Sequence, residues 1–270
     1  MEGDKYMKIK DVILDLQKNQ TWVNWNHTRD HILAGDENQE VTGIGVCWVA
    51  TKQMIKAAHK AGLNFVITHE NPFYDCSTNP QTAVWEAILE KQALIKKYNI
   101  VLYRCHDGWD MFPEYGVADQ WAKRLGYAFE PRLLNSYNQY AQIPEQSVAE
   151  IAQHAAAVLS QDGENGAYVF GDPTKRVRRL AIGTGAATNI FSMLDYRPDA
   201  VIVSDDGITN WYAAQFAIDH DLPLIVVNHA GCEICGMKAM EAYLKQQLPP
   251  NIKVMYIAEG FDIHYYTSEA

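Results

Sequence analysis

The sequence predicts an α/β protein of two interlocked halves, each with mainly parallel strands flanked by helices. Three observations predict it. Short β-branched runs alternate with segments of helical periodicity over 42–125 and again over 177–258, which is the pattern of β-α-β units. The connections between them are short, favouring right-handed crossovers and buried parallel strands. The chain has 270 residues, 48% of them hydrophobic, enough for one large domain or two smaller ones sharing an interface, with a real core.

The elements follow in chain order. A helix over 8–20 is followed by an irregular stretch to about 40. VTGIGVCWVA holds a strand over 42–49, and 51–61 places apolar residues at helical spacing up to a stop at Gly62, as glycine ends a helix. A strand over 64–68 and a loop rich in Asn, Pro and Asp lead to an amphipathic helix over 81–97, with Val84, Ile88, Leu94 and Ile95 on its buried stripe. A strand over 100–103 and a helix over 117–125, stopped by Gly126, close this block. The stretch 127–175 is less regular, with Pro131, Pro144, polar Asn/Gln/Tyr clusters, one helix over 145–160 and a turn from Gly163 to Gly166. That composition predicts a connecting subdomain over 131–175, between a first half of 1–130 and a second of 176–270. The second half alternates strand 177–182, helix 187–195, strand 200–204, helix 209–219, strand 223–228, helix 233–247 and strand 252–258. The two halves share too little sequence to count as a repeat.

Composition narrows the functional classes. No apolar run approaches the roughly 20 residues of a membrane span, and the N-terminus alternates charged and apolar residues without a secretory core. The five cysteines, Cys47, Cys76, Cys105, Cys232 and Cys235, are odd in number and scattered. A chain of this size does not need disulfides, so a cytoplasmic location is expected. The formal net charge of -10 argues against broad nucleic-acid binding. RVRR at 176–179 is the one dense basic run and is expected as an exposed start of a strand. An acidic chain still suits a phosphorylated small molecule if metal ions supply the positive charge.

The candidate chemistry is positional. The strand over 64–68 runs into His69 and Glu70; that over 100–103 runs into His106 and Asp110. The strand over 200–204 ends in Asp205 and Asp206; that over 223–228 ends in His229, with Glu233 four residues on. In open parallel sheets the carboxyl edge is where ligands bind. Imidazoles and carboxylates together suit Zn, Mn, Fe or Co and are poor for Ca. One metal needs three or four protein ligands. The set His69, Glu70, Asp110, His229 and Glu233, with His106 beside it, exceeds that and predicts two divalent ions. Clustered carboxylates would otherwise repel one another.

Each piece has a plainer reading. A lone His at a strand end commonly caps or hydrogen-bonds, and Asp or Glu after a strand commonly caps a helix. The plainer reading is strongest for Asp205 and Asp206. Cys232-Glu-Ile-Cys235 is a C-x-x-C motif whose plain reading is two small buried residues flanking Glu233, rather than a redox pair. Gly183-Thr-Gly185 looks like the start of a phosphate loop but lacks the third glycine and the lysine.

At these residues the chain resembles the Nif-three-like family (Ngg-one-interacting factor three, also known as GTP cyclohydrolase type 2 homologues), over about 40–130 and 175–260. NFVITHENPFYD matches the family's strand and His-His-Pro segment with Glu70 in place of the second His. VLYRCHDGWD matches its His-x-x-x-Asp, GVADQWAKRLG the following helix, and His229 with Glu233 the closing motif. The resemblance implies a Nif-three-like fold and a paired-metal site of His69, Glu70, Asp110, His229 and Glu233. It also implies a ring-like homo-oligomer, commonly a hexamer, with the sites facing an internal cavity. Glu70 exchanges a neutral nitrogen ligand for an anionic oxygen and shifts preference toward harder metals such as Mn or Fe. Ser204-Asp205-Asp206 stands where the family has Thr-Gly-Glu, so no role carries over there.

Two functions follow as expectations. The first is a metal-dependent hydrolase of a phosphorylated or nucleotide-like small molecule, with His106 as general acid or base and Pro72-Phe73-Tyr74 as an aromatic wall. The second is a non-catalytic metal-binding or partner-binding assembly. A thiol oxidoreductase using Cys232 and Cys235 is a third, weaker alternative.

Overall fold

The computed structural model describes residues 7–18, 20–208 and 211–266. The strands are β1 (His31–Ala34), β2 (Ile44–Val49), β3 (Phe65–Glu70), β4 (Val101–Arg104), β5 (Gln139–Ser147), β6 (Tyr168–Phe170), β7 (Arg176–Ile182), β8 (Ala200–Ser204), β9 (Leu224–Val227) and β10 (Val254–Tyr256). The α-helices are α1 (Ile9–Gln17), α2 (Lys52–Lys60), α3 (Thr82–Lys97), α4 (Asp107–Asp110), α5 (Val117–Leu125), α6 (Val148–Leu159), α7 (Trp211–Asp219) and α8 (His229–Gln247). Position 19 of the expected first helix and positions 209–210 of the expected helix over 209–219 lie outside the described residues. Among the described residues no helix is long and apolar enough to cross a membrane.

The chain divides into two compact units, each drawn from separate segments. One is Met1–Trp109 with Met237–Phe261, and the other is Asp110–Gly236 with Asp262–Ala270. In the first, a sheet runs β1-β4-β3-β2-β10. β10, β2, β3 and β4 are mutually parallel and β1 lies antiparallel on β4. The parallel strands are covered on both faces, which is why IGVCWV and FVIT read as continuous runs rather than alternating ones. Met54, Ile55 and Ala58 of α2 and Ile95 of α3 pack with Val66, Leu102 and Ile257 in this core. Thr51 caps α2 by accepting from Met54 N at 3.2 Å, and Gly62 beyond it takes a φ of +77°, as the glycine stop predicts.

In the second unit the order is β5-β7-β8-β9-β6. β7, β8 and β9 are parallel, and β5 and β6 are antiparallel edges. Residues 139–170, expected as connecting subdomain, supply both edges of this sheet and α6 between them. Pro144 is tolerated because β5 is an edge strand whose register shifts between Gln142 and Gln146. Ser147 and Glu150 then form a capping box that starts α6.

Three differences from the expected elements have physical reasons. The expected helix over 187–195 is a pair of 3₁₀ segments, Gly185–Ala187 and Ile190–Tyr196. The Asn189 side chain accepts from Phe191 N at 3.0 Å, so the chain starts afresh there instead of continuing a helix. The strand expected at 252–258 shortens to β10 and joins the first unit's sheet, because its partner is β2. The helix expected over 233–247 begins four residues earlier, at His229.

Candidate metal centre

In the first unit, β3 extends through His69 and Glu70, and β4 ends at Arg104, followed by Cys105, His106 and α4. His69 is fully buried, with Nδ1 3.2 Å from the Cys105 carbonyl oxygen. Its ring stacks on that of His106, centroids 4.5 Å apart and planes 6° from parallel. Arg104 donates from Nη2 to Glu70 Oε2 at 2.8 Å. The other oxygen, Oε1, lies 3.4 Å from His106 Nε2. His69, Glu70 and His106 each offer one ligand atom, all within 4.8 Å of one another.

The segment carrying His106 is held from below. Asp30 is buried and accepts from the backbone N–H of His106 at 2.8 Å, of Asp107 at 2.7 Å and of Gly108 at 2.9 Å. Burial outweighs these bonds and pushes the Asp30 carboxyl up from its ordinary value. Gly108 allows the approach, since a Cβ there would overlap Gln20 Oε1 and sit 2.8 Å from Asp30 Oδ2. Asp107 faces His106 Nδ1 at 3.0 Å. It also accepts from Arg29 N at 2.9 Å, Arg29 Nη1 at 3.0 Å and Thr28 Oγ1 at 3.1 Å. Burial works against its charge, but the bonds from His106 and Arg29 win and hold the carboxyl well below the usual range. Asp110, at the end of α4, is 4% exposed.

In the second unit, β8 delivers Asp205 and Asp206 into a 3₁₀ turn, and β9 delivers His229 into the first turn of α8. Asp205 accepts from His229 N at 2.9 Å and from Asn228 Nδ2 at 2.8 Å. Asp206 Oδ2 lies 2.6 Å from His229 Nδ1. His229 and Glu233 share one face of α8, with Nε2 3.0 Å from Glu233 Oε2. The Gly183-Thr-Gly185 turn passes directly over this pair. A Cβ on Gly185 would overlap Glu233 Oε1 and stand 2.7 Å from His229 Nε2, and its φ is +54°. The turn is therefore a close cover on the imidazole and carboxylate rather than a phosphate loop. Ser204 Oγ pins it by donating to the Gly185 carbonyl at 2.6 Å.

The structure thus brings together His69, Glu70 and His106 in one unit and His229 with Glu233 in the other. The donor types fit divalent metals of the Zn, Mn and Fe class, and the glycine at 185 keeps the space over one pair open. Sequence reasoning missed Asp30, Arg104 and Asp107 as parts of this arrangement; it named Asp206 and Gly185, but with other roles, a helix cap and a weak phosphate-loop signal. A charged residue closing the apolar run Val101–Arg104, and two acids directly after β8, were the available signals. The C-x-x-C motif takes its plain reading. Cys232 and Cys235 are buried thiols donating to the carbonyls of His229 and Cys232. Burial pushes Cys235 up to about 12 and Cys232 well above its ordinary value, which disfavours the reactive thiolate.

The profile of the family described as Duf34/NIF3 (NGG1p interacting factor 3) matches residues 5–260. The chain belongs to the NIF3 family. A GTP cyclohydrolase 1 type 2 homolog of Clostridium perfringens is 21% identical over 267 residues, covering 95% of this chain and 98% of that protein. The homolog of that name from Neisseria meningitidis serogroup B is 23% identical over 194 residues, 71% of this chain and 74% of that one. The crystal structure of a Bacillus cereus protein related to NIF3 superposes with a TM-score of 0.79 at 13% identity, over 98% of this chain and 100% of that chain. At that identity it shows that the NIF3 fold is shared. The expected Nif-three-like fold is therefore the observed one, and the profile also spans the middle segment that motif matching left out.

Proposed function

We propose that this NIF3-family chain binds two divalent metal ions (Zn, Mn or Fe) through His69, Glu70, Asp110, His229 and Glu233 and hydrolyses a phosphorylated or nucleotide-like small molecule. One observation carries the reading: in each unit an imidazole Nε2 faces a glutamate oxygen, His106 to Glu70 at 3.4 Å and His229 to Glu233 at 3.0 Å. A nitrogen lone pair and a carboxylate facing each other call for a proton or a cation between them. The names of the Clostridium and Neisseria relatives support a nucleotide-like substrate.

When bound, the ions would supply Lewis acidity and the positive charge that this acidic chain lacks for a phosphorylated substrate. The protein's own groups do the rest. Arg104 on Glu70 Oε2 offsets part of the carboxylate charge and leaves Oε1 aimed at His106. His106, with Asp107 behind it, holds or moves a proton at Nε2 as general acid or base. Phe73 packs against the first unit's core and Tyr74 is exposed; with Pro72 they are proposed as a wall for a base or ring. Lys91, itself buried, donates to the Pro72 carbonyl and lies 5.9 Å and 5.2 Å from the Phe73 and Tyr74 ring centroids.

We take the working form to be a cytoplasmic homo-oligomer, a hexamer by family resemblance. Trp211 and Ile218 support a subunit contact, since they line one exposed stripe of α7 with Trp211 74% exposed. Light scattering is expected to return a multiple of the chain mass. The deciding assay is turnover with Mn, Fe or Zn over nucleotides, cyclic dinucleotides and phosphoesters. Turnover is expected with metal only, and lost in Asp110→Ala. Absence of metal-dependent turnover, or full turnover in that variant, would remove the hydrolase reading.

A further inference from the structure

The geometry points to Asp107 and Asp206 as positioning residues that act alike, each holding the Nδ1–H of a neighbouring imidazole so that Nε2 presents its lone pair to the site. Asp30 and Asp205 complete the device by fixing the backbone that carries each ring. What Nε2 then engages rests on the proposed metal-dependent function; the positioning itself does not.

The tautomer follows from distance. Asp206 Oδ2 lies 2.6 Å from His229 Nδ1, too close for two acceptors and normal for a charge-assisted bond. The proton therefore sits on Nδ1. Nε2 faces Glu233 Oε2 at 3.0 Å, also within hydrogen-bond reach, so the single proton of an uncharged ring is assigned to the shorter contact at Nδ1 and the Nε2 lone pair is left for a cation. His106 repeats the arrangement, with Nδ1 3.0 Å from Asp107 Oδ1 and Nε2 3.4 Å from Glu70 Oε1. A hydrogen bond at one ring nitrogen deciding what the other can bind is the standard way an imidazole is oriented at a metal or a transferring proton.

The backbone clamps match as well. Asp30 takes the N–H of His106 and of the two residues after it, and Asp205 takes the N–H of His229. Each unit thus places one carboxylate on the ring and another on the main chain beneath it. The two devices arise differently in sequence. Asp107 adjoins its histidine, whereas Asp206 lies 23 positions from its own and comes from the end of a neighbouring strand. Capping explains Asp205, which meets the first backbone N–H of α8. It does not explain Asp206, whose partner is a ring nitrogen.

The test reads the tautomer directly. In metal-free protein, at a pH high enough for uncharged rings, long-range ¹⁵N–¹H correlation spectra are expected to show His106 and His229 as Nδ1–H forms. Asp107→Ala and Asp206→Ala should each convert only the adjoining ring toward Nε2–H, the untouched ring serving as the folding control. Asp206→Asn, which still accepts through Oδ1, should keep the Nδ1–H form. Zn²⁺ titrated into the wild type and variants should bind Asp206→Ala roughly 10–100-fold more weakly and Asp206→Asn closer to wild type. Wild-type rings in the Nε2–H form, or alanine variants that retain Nδ1–H, would overturn the assignment. If wild-type rings are Nδ1–H but Zn²⁺ does not bind, the metal reading fails and the positioning role stands. If Zn²⁺ binds wild type and Asp206→Ala equally, the positioning role fails and the metal reading stands.

Discussion

Gly185 is confined twice, by its φ of +54° and by Glu233 and His229 where a side chain would go. Gly163 separates the two effects, because its φ is +85° with nothing within 4 Å of an added Cβ. Gly163→Ala is expected to cost about 1 kcal/mol of backbone strain and leave Zn²⁺ binding unchanged. Gly185→Ala should cost at least as much in urea denaturation and weaken Zn²⁺ binding by tenfold or more in calorimetry. Equal binding by both variants would show that the turn does not shape the pair. Glu164 gives a pH signature. Its Oε1 accepts from Asn228 N at 2.7 Å, and burial, foremost, pushes its carboxyl from 4.5 to about 7. The folded state then holds a proton that the unfolded chain has released. The associated stability is fully present below about pH 4.5 and is lost as pH rises through about 7, at most about 3 kcal/mol by 1.36 kcal/mol per unit. Glu164→Gln should flatten that fall, measured by urea denaturation with chelator at about pH 4, 6 and 8. The histidines and acids proposed to bind metal were legible because their residue types recur at strand ends. Asp30 was not: it acts on His106 from 76 positions away, and an acceptor of backbone N–H groups leaves no period in the sequence.

α4 has four residues, too few to be stable alone, and it exists because Asp30 satisfies the N–H groups at its start. Asp30→Ala should therefore release the segment bearing His106 and cost about 2–4 kcal/mol in urea denaturation. Asp30→Asn, which still accepts through one oxygen, should cost less. A loss below about 1 kcal/mol in the alanine variant would show that the segment is held by packing instead. The same contrast between local and distant causes explains which elements the sequence predicts. α5 is Val117–Leu125 and β8 is Ala200–Ser204, as expected, because periodicity and terminating glycines or strand runs are local. β1 and β6, of four and three residues, are edge strands too short and too exposed to alternate. β5 does alternate, but Pro144 disguised it, since only edge position makes a strand proline harmless. The 3₁₀ segment Ile190–Tyr196 carries spacing close to that of an α-helix, and only the Asn189 side chain betrays it. For β10 nothing local identifies its sheet, because the choice is made by the edge of β2.

At the scale of the whole chain, the formal charge of -10 and the acids gathered beside His106 and His229 set a cost that cations would relieve. Ligand binding to the folded state alone adds RT ln(1 + [L]/Kd), about 2.7 kcal/mol per site at a hundredfold excess over Kd. Two proposed ions would thus raise unfolding free energy by about 5 kcal/mol, and chelator should remove the increment. His69→Ala and His229→Ala should each forfeit part of it, since each removes one proposed ligand. A variant that kept the whole increment would show that its histidine holds no ion. Thermal unfolding followed with and without Mn²⁺ and Zn²⁺, with metal counted by elemental analysis in the same samples, distinguishes these outcomes and ties the stability increment to stoichiometry.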